Sequence, residues 1–220
     1  MPPHNSVRRR LLPFAVVCLL AAGLLAAPDI SRARVIDQLL AVVNGKTIAL
    51  SDVVHHRLLF APELSGEALR QRVIDHRIVL EEAARFELQA PQATRVNDVI
   101  AQLQRAFGTA AQWRSALQRV GLEPADVEPL VVEHLSVESF LVQRVDLFVF
   151  VSPAEVTAAH EEDERFRGRP LEEVEQALEQ ELLNRKITEK RREYVARLRS
   201  RATIRQLADV PDNLPSRPLP

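Results

Sequence analysis

The sequence predicts a mainly α-helical domain that opens on a small β-hairpin and is closed by one long C-terminal helix. Three observations predict it. Apolar residues recur at helical spacing over most of the chain. Only six glycines occur in 220 residues, too few for the turns of a sandwich or barrel. The stretch Val35–Asp52 places Asn44-Gly45 between two short apolar runs. Both turn residues tolerate positive φ, so the pair suits a two-residue type I′ hairpin.

The first strand of that hairpin is expected from about Gln38 to Val43 and the second from about Thr47 to Leu50, with Ser51 as N-cap of a short helix to about Phe60. Pro62 stops this helix, and Ser65-Gly66 starts the next, to about Phe86, with Leu69, Val73, Leu80 and Ala84 on one apolar face. Thr94 is placed to cap a helix whose Val96, Val99, Ile100, Leu103 and Phe107 form an amphipathic stripe ended by Gly108. Thr109 with Gln112 is a capping-box pattern. It opens a helix with Trp113, Ala116, Leu117 and Val120 on one face, closed by Gly121.

Pro124 suits a first helical turn, and Pro129 is expected to kink or restart the helix behind it. Leu130, His134, Val137, Leu141 and Val145 then keep helical spacing. Asp146–Val151, DLFVFV, is apolar and rich in β-branched and aromatic residues, so it reads as extended. Ser152-Pro153-Ala154-Glu155 combines an N-cap, a Pro at N1 and a Glu at N3, and starts a polar helix over Pro153–Glu164. After a break at Arg167–Arg169, Pro170 opens the longest helix, to about Arg201. Its first half is acidic and its second half basic, which complements the helix dipole. Ala202–Leu207 is expected as a third strand near the hairpin. Residues 208–220, Pro-rich and poor in apolar residues, read as a disordered tail.

Four segments in order carry a resemblance. AVVNGKTIALSDV (Ala41–Val53), VIDHRIVLEEAARF (Val73–Phe86), FGTAAQWRSALQRVGLEPADV (Phe107–Val127) and the helix Pro170–Arg201 are similar to the SurA-type periplasmic chaperone domain, which also begins the related parvulin-type peptidyl-prolyl isomerases. The resemblance covers most of the chain after Ala33. It implies a SurA-like chaperone domain over residues 34–207, in two parts, 34–164 and 170–207. It implies unfolded polypeptides as partners, outer-membrane protein precursors among them, and a link to outer-membrane assembly machinery. It also implies a glycine behind the helix that ends near Phe86, where this chain has Glu87. In the isomerases of this family a parvulin domain lies between the polar helix and the C-terminal helix. Here only Arg165–Arg169 separate them, and the parvulin histidine motif is missing from the sequence.

Residues 1–33 read as a signal peptide. Arg8-Arg9-Arg10 form a basic n-region, Leu11–Ala27 an apolar h-region, and Ser31 and Ala33 supply small residues at −3 and −1 of a cleavage site. This implies a periplasmic protein. The alternative is an uncleaved N-terminal anchor, because Leu11–Ala27 is close to the minimum spanning length. The one cysteine, Cys18, lies in the h-region, so the processed chain has no disulfide, zinc–thiolate site or thiol nucleophile. A formal net charge of -1 gives no basic excess for nucleic acid. The chemistry readings are equally spare. His55 and His56, adjacent on a helix, point about 100° apart and do not easily share one ion. Ser51 and Asp52 beside His55 suggest nucleophilic catalysis, but a cap role explains Ser51 and Asp52 more simply, so we expect no catalytic residue, no metal, no cofactor and no small-molecule substrate.

What remains is apolar surface. A chaperone that holds unfolded chains needs an exposed apolar patch. Phe107, Trp113, Phe140, Phe148 and Phe150 are the large residues available for it, unless each is core. The expected function is an exported, non-catalytic holdase. A prolyl isomerase and a scaffold subunit that binds one folded partner are the alternatives. The leader yields the first prediction: N-terminal sequencing of the exported protein should find Arg34 at or near the mature terminus, and retention of Met1 would contradict cleavage.

Overall fold

The hairpin sets the frame. β1 (Leu39–Val43) and β2 (Lys46–Ala49) pair antiparallel with Val43 opposite Lys46 and Leu39 opposite Ala49, and the register shifts by a bulge between Leu39 and Ala41. Asn44 and Gly45 turn with φ of +49° and +84°, as the Asn-Gly pair predicts. β3 (Ile204–Gln206) lies on the other edge of β1, antiparallel, with Val43 opposite Ile204. The sheet order is β2-β1-β3, so the middle strand takes one neighbour from each end of the domain. Asn44 ties the two ends together. Its N–H donates to Thr203 O at 2.9 Å and its Oδ1 accepts from Thr203 N–H at 2.9 Å. Its amide also donates to Glu81 Oε2 at 2.7 Å.

The computed structural model describes residues 37–86, 88–166 and 168–217. Seven α-helices occur among them, and the structure is mainly helical with a small sheet near the N-terminus and a long C-terminal helix. They are α1 (Leu50–Leu59), α2 (Gly66–Ala83), α3 (Ala93–Ala106), α4 (Ala110–Arg119), α5 (Val127–Arg144), α6 (Pro153–Glu162) and α7 (Leu171–Arg199). The signal segment and Glu87 lie outside the described residues. Among the described residues no helix is long and apolar enough to cross a membrane.

Two caps form as read. Thr109 Oγ1 accepts from Gln112 N–H at 3.2 Å while Gln112 Oε1 accepts from Thr109 N–H at 2.9 Å. Ser152 and Glu155 make the same reciprocal pair. Pro124 sits in a 3-10 turn, Pro124–Asp126, and α5 restarts directly behind it. Pro129 then occupies the first turn of α5, where a missing N–H leaves no intrahelical bond unmade.

Other expectations are corrected. Ser51 is not an N-cap: α1 starts one residue before it, behind Ala49, and the Ser51 hydroxyl bonds Asp37 instead. Asp52 takes over the capping task, accepting Ala49 N–H at 2.9 Å. Thr94 is likewise inside α3, whose N-cap is Gln92. Asp146–Val151 is not a strand. Asp146–Phe148 make a 3-10 turn, because among the described residues no strand runs beside this segment to accept its backbone bonds. Residues 208–217 are not a loose tail. Val210 is buried and Leu214 packs on the hairpin cluster. Arg57 Nη1 donates to Leu214 O at 2.5 Å, and the buried Arg70 donates to Ala208 O at 2.6 Å. Two guanidiniums thus hold two carbonyls of this segment, and Ala208 N–H donates to Leu40 O at 3.3 Å.

The core has four parts. Leu40, Ala41, Val43, Ile48, Val53, Leu69 and Ile74 join sheet, α1 and α2, with Leu198, Ala202 and Ile204 against them. Leu58 and Leu59 at the end of α1 enter a second part with α3, α4 and the start of α5. Val79 and Ala83 of α2 meet Val137, Phe140 and Leu141 of α5 and Tyr194, Val195 and Leu198 of α7. Val156 of α6 packs on Leu178 and Leu182 of α7. Leu198 touches both the hairpin part and the α2–α5 part, so α7 is needed by each. Truncation at Gly168 removes α7, β3 and the docked segment, and should abolish cooperative thermal unfolding followed by circular dichroism. A truncated chain that melts like the full one would show two independent units.

Candidate functional site

The five aromatic residues expected at an exposed patch divide. Phe107 and Trp113 are buried edge-to-face with centroids 5.0 Å apart, where α3 and α4 close on each other. Phe140 is fully buried between Phe86 and Tyr194. These three are core, because their helices turn one face inward and the aromatic residue stands on that face. Phe148 and Phe150 are the opposite case, 73% and 75% exposed. Leu147, outside the set of residues the sequence suggests, joins them at 71% exposure. A signal for it existed: seven apolar-rich residues, Val145–Val151, lie between a helix end at Arg144 and a strong helix start at Ser152, with no strand next to them in the sequence to pair them.

The segment is held in place. Phe148 N–H donates to Val145 O at 3.0 Å and Val149 N–H to Asp146 O at 3.0 Å. Val149 packs on the α2–α5–α7 core and anchors the turn from beneath. Arg191 of α7 grips Asp146 with two bonds, Nε to Oδ1 at 2.8 Å and Nη2 to Oδ2 at 2.6 Å, and reaches Glu138 of α5 with Nη1 at 2.9 Å. Lys186 donates to Phe150 O at 2.8 Å and to Glu155 Oε1 at 2.7 Å, and its ammonium stands 5.9 Å from the Phe150 ring centroid. The bond from Lys186, with the N-cap bonds of Ser152, holds the Glu155 carboxyl down to about 2. Leu147, Phe148 and Phe150 are therefore presented to solvent by a fixed backbone.

Beside this turn, α2, α5 and α7 enclose an open cleft of about 580 Å³. Leu64, Leu141, Val195 and Ala196 give it an apolar floor, and Arg72, Asp75, Glu138, Arg191, Arg192 and Arg199 give it a charged rim. Arg191 belongs to both features, since it bonds Asp146 of the turn and Glu138 of the cleft wall.

A smaller cavity of about 180 Å³ adjoins the cleft and shares Arg72, Asp75, Glu138, Leu141 and Val195 with it. Three helices each bring a histidine to its wall: His56 from α1, His76 from α2 and His134 from α5. His56 and His76 stand edge-to-face at 5.1 Å, and His134 stacks on Phe60 at 4.2 Å and lies 6.1 Å from His76. The buried His76 Nε2 and His134 Nδ1 have no hydrogen-bond partner. His55 does not line this cavity, and its Nε2 donates to Val120 O at 3.0 Å. Burial, reinforced by neighbouring charges, lowers His56 to about 4 and His76 to about 3, and burial lowers His134 as well. No group of three or more His, Cys, Asp or Glu side chains among the described residues is arranged to hold a metal ion. Sequence reasoning singled out His56 but not its partners, since the three meet only through helix packing. Protein-family models and curated proteins, compared with the chain, give no match.

The histidines make a pH prediction. Their folded pKa values lie below the unfolded value of 6.5, so between the two the unfolded chain binds more protons. Stability is then full above about pH 6.5 and falls as pH drops, by about 1.4 kcal/mol per pH unit for each histidine while only the unfolded state is protonated. Urea unfolding at pH 7.5, 6.5 and 5.5 should show this fall, and His76→Leu should make it shallower. A stability independent of pH across that interval would contradict a neutral, buried cluster.

Proposed function

We propose that this chain is an exported, non-catalytic chaperone that holds unfolded polypeptides in the periplasm, with outer-membrane protein precursors as its clients. The observation that carries this reading is the fixed turn that presents Leu147, Phe148 and Phe150 to solvent at 71–75% exposure. Large apolar side chains gathered on a surface mark an interaction site rather than an ordinary exterior. Holding them out on a hydrogen-bonded backbone spares the ordering cost at the moment of binding. An unfolded client supplies the complementary partner, since its apolar side chains are exposed until it folds. Such binding is weak per unit area, because the client gives up chain entropy when held.

The sequence supports the remaining parts of the reading. The basic and apolar segments Arg8–Arg10 and Leu11–Ala27 support export. The resemblance to SurA-type chaperones supports the client class. Only residues 163–170 lie between α6 and α7, where the isomerases of that family hold their catalytic domain. The non-catalytic reading rests on that short connection.

The test is an aggregation assay on an unfolded outer-membrane protein, beside a proline-isomerisation assay on a model peptide. The mature chain should suppress aggregation without speeding isomerisation. Replacing Leu147, Phe148 and Phe150 by Ser should remove most of the suppression while leaving the melting temperature nearly unchanged, since exposed side chains contribute within about 0.5 kcal/mol to stability. No suppression by the wild-type chain at several-fold excess would defeat the reading and favour a scaffold that binds one folded partner.

A further inference from the structure

We propose that the cleft between α2, α5 and α7 binds an extended polypeptide segment that carries carboxylates, with Arg72 and Arg192 as the residues that receive them. The proposal rests on the holdase reading and adds to it a chemical class of client segment. Its starting point is how the cleft's charges are already used. Arg191 is committed to Asp146 and Glu138. Arg199 is committed to Asp75, at 2.5 Å, and to Gln71. These pairs occupy both carboxylates of the cleft. Arg72 on α2 and Arg192 on α7 also line it, and among the described residues neither has a hydrogen-bond or ion-pair partner. Two guanidiniums on different walls are thus left unpaired above an apolar floor.

That combination defines the ligand. A guanidinium presents a planar fork of N–H donors that matches a carboxylate. The floor suits an aliphatic or aromatic side chain. Acidic and apolar groups alternating along one chain satisfy both. The length fits as well: Thr188 to Arg199 spans about 16 Å of helix, which about five residues of extended chain cover at roughly 3.3 Å each. A nucleic acid fits less well, because Asp75 and Glu138 would stand against a continuous row of phosphates.

The test uses the mature full-length chain and two fluorescein-labelled octapeptides, one alternating Phe with Glu and the other alternating Phe with Gln. Fluorescence anisotropy at low salt should show the Glu peptide binding about tenfold more tightly, the sum of two exposed ion pairs. The preference should shrink as salt is raised. Joint replacement R72E/R192E should reverse the preference, because the rim then repels the Glu peptide, and a melting temperature close to that of the wild type shows that the variant is folded. R72Q/R192Q should abolish the preference without reversing it. The ring resonances of His56, His76 and His134, which adjoin Arg72, should move with the Glu peptide only in the wild-type chain. Equal affinity for the two peptides, or a preference that survives both double variants, would overturn the proposal. So would tighter binding of an oligothymidylate than of the Glu peptide. If the Gln peptide binds without any preference for the Glu peptide, this proposal fails alone. If neither peptide binds and aggregation is not suppressed, the holdase reading fails with it.

Discussion

A hairpin of five and four residues cannot stand by itself in water, and the architecture follows from that constraint. β1 has a free edge that the local sequence cannot cover. β3, arriving from the far end of the domain, pairs with it, and Asn44 fastens the join from the turn. Beneath the sheet, α1 and α2 present Val53, Leu69, Val73 and Ile74 to its inner face. Because β3 must reach β1, α7 has to run back across α2 and α5 before it ends. That path makes the groove between the three helices and brings Arg191 to the turn at Asp146. Both features of the candidate site are consequences of how the sheet is closed.

What could be read from the sequence is what is decided within a few residues. Asn44-Gly45, Thr109 with Gln112, and Ser152 with Glu155 each contain both partners of the interaction they make. The helix stripe ending in Phe107 was legible for the same reason. Ser51 failed as a cap because Asp37, upstream of the hairpin, reaches its hydroxyl, and Leu50 N–H bonds Gln38 O at 2.8 Å. Residues 208–217 read as loose in the sequence because their anchors, Arg57 and Arg70, stand 157 and 138 residues before the carbonyls they hold.

The site was legible only in part, for a related reason. Aromatic residue type does not say which face of a helix looks outward. Phe107, Trp113 and Phe140 point inward, and only the partners supplied by neighbouring helices decide that. Phe148 and Phe150 lie in an apolar run that would be a core strand if a strand lay beside it. Lacking one, the run folds into a single 3-10 turn with Val149 inward and its neighbours outward. Arg72 and Arg192 could not be told from solvated surface charge in the sequence, since their lack of partners is a statement about where Glu138 and Asp75 already point.

The pairing of Val43 with Ile204 has a consequence for the order of events in the life of the chain. A polypeptide is made from its N-terminus, so the hairpin emerges long before the strand that completes it. Until roughly 160 further residues follow, the open edge of β1 has no native neighbour, and closing so wide a loop delays the contacts that would protect it. Such an edge is a template for any other extended chain. Cooperative assembly is therefore reserved for the finished polypeptide, and during synthesis the growing chain itself has the needs of a client.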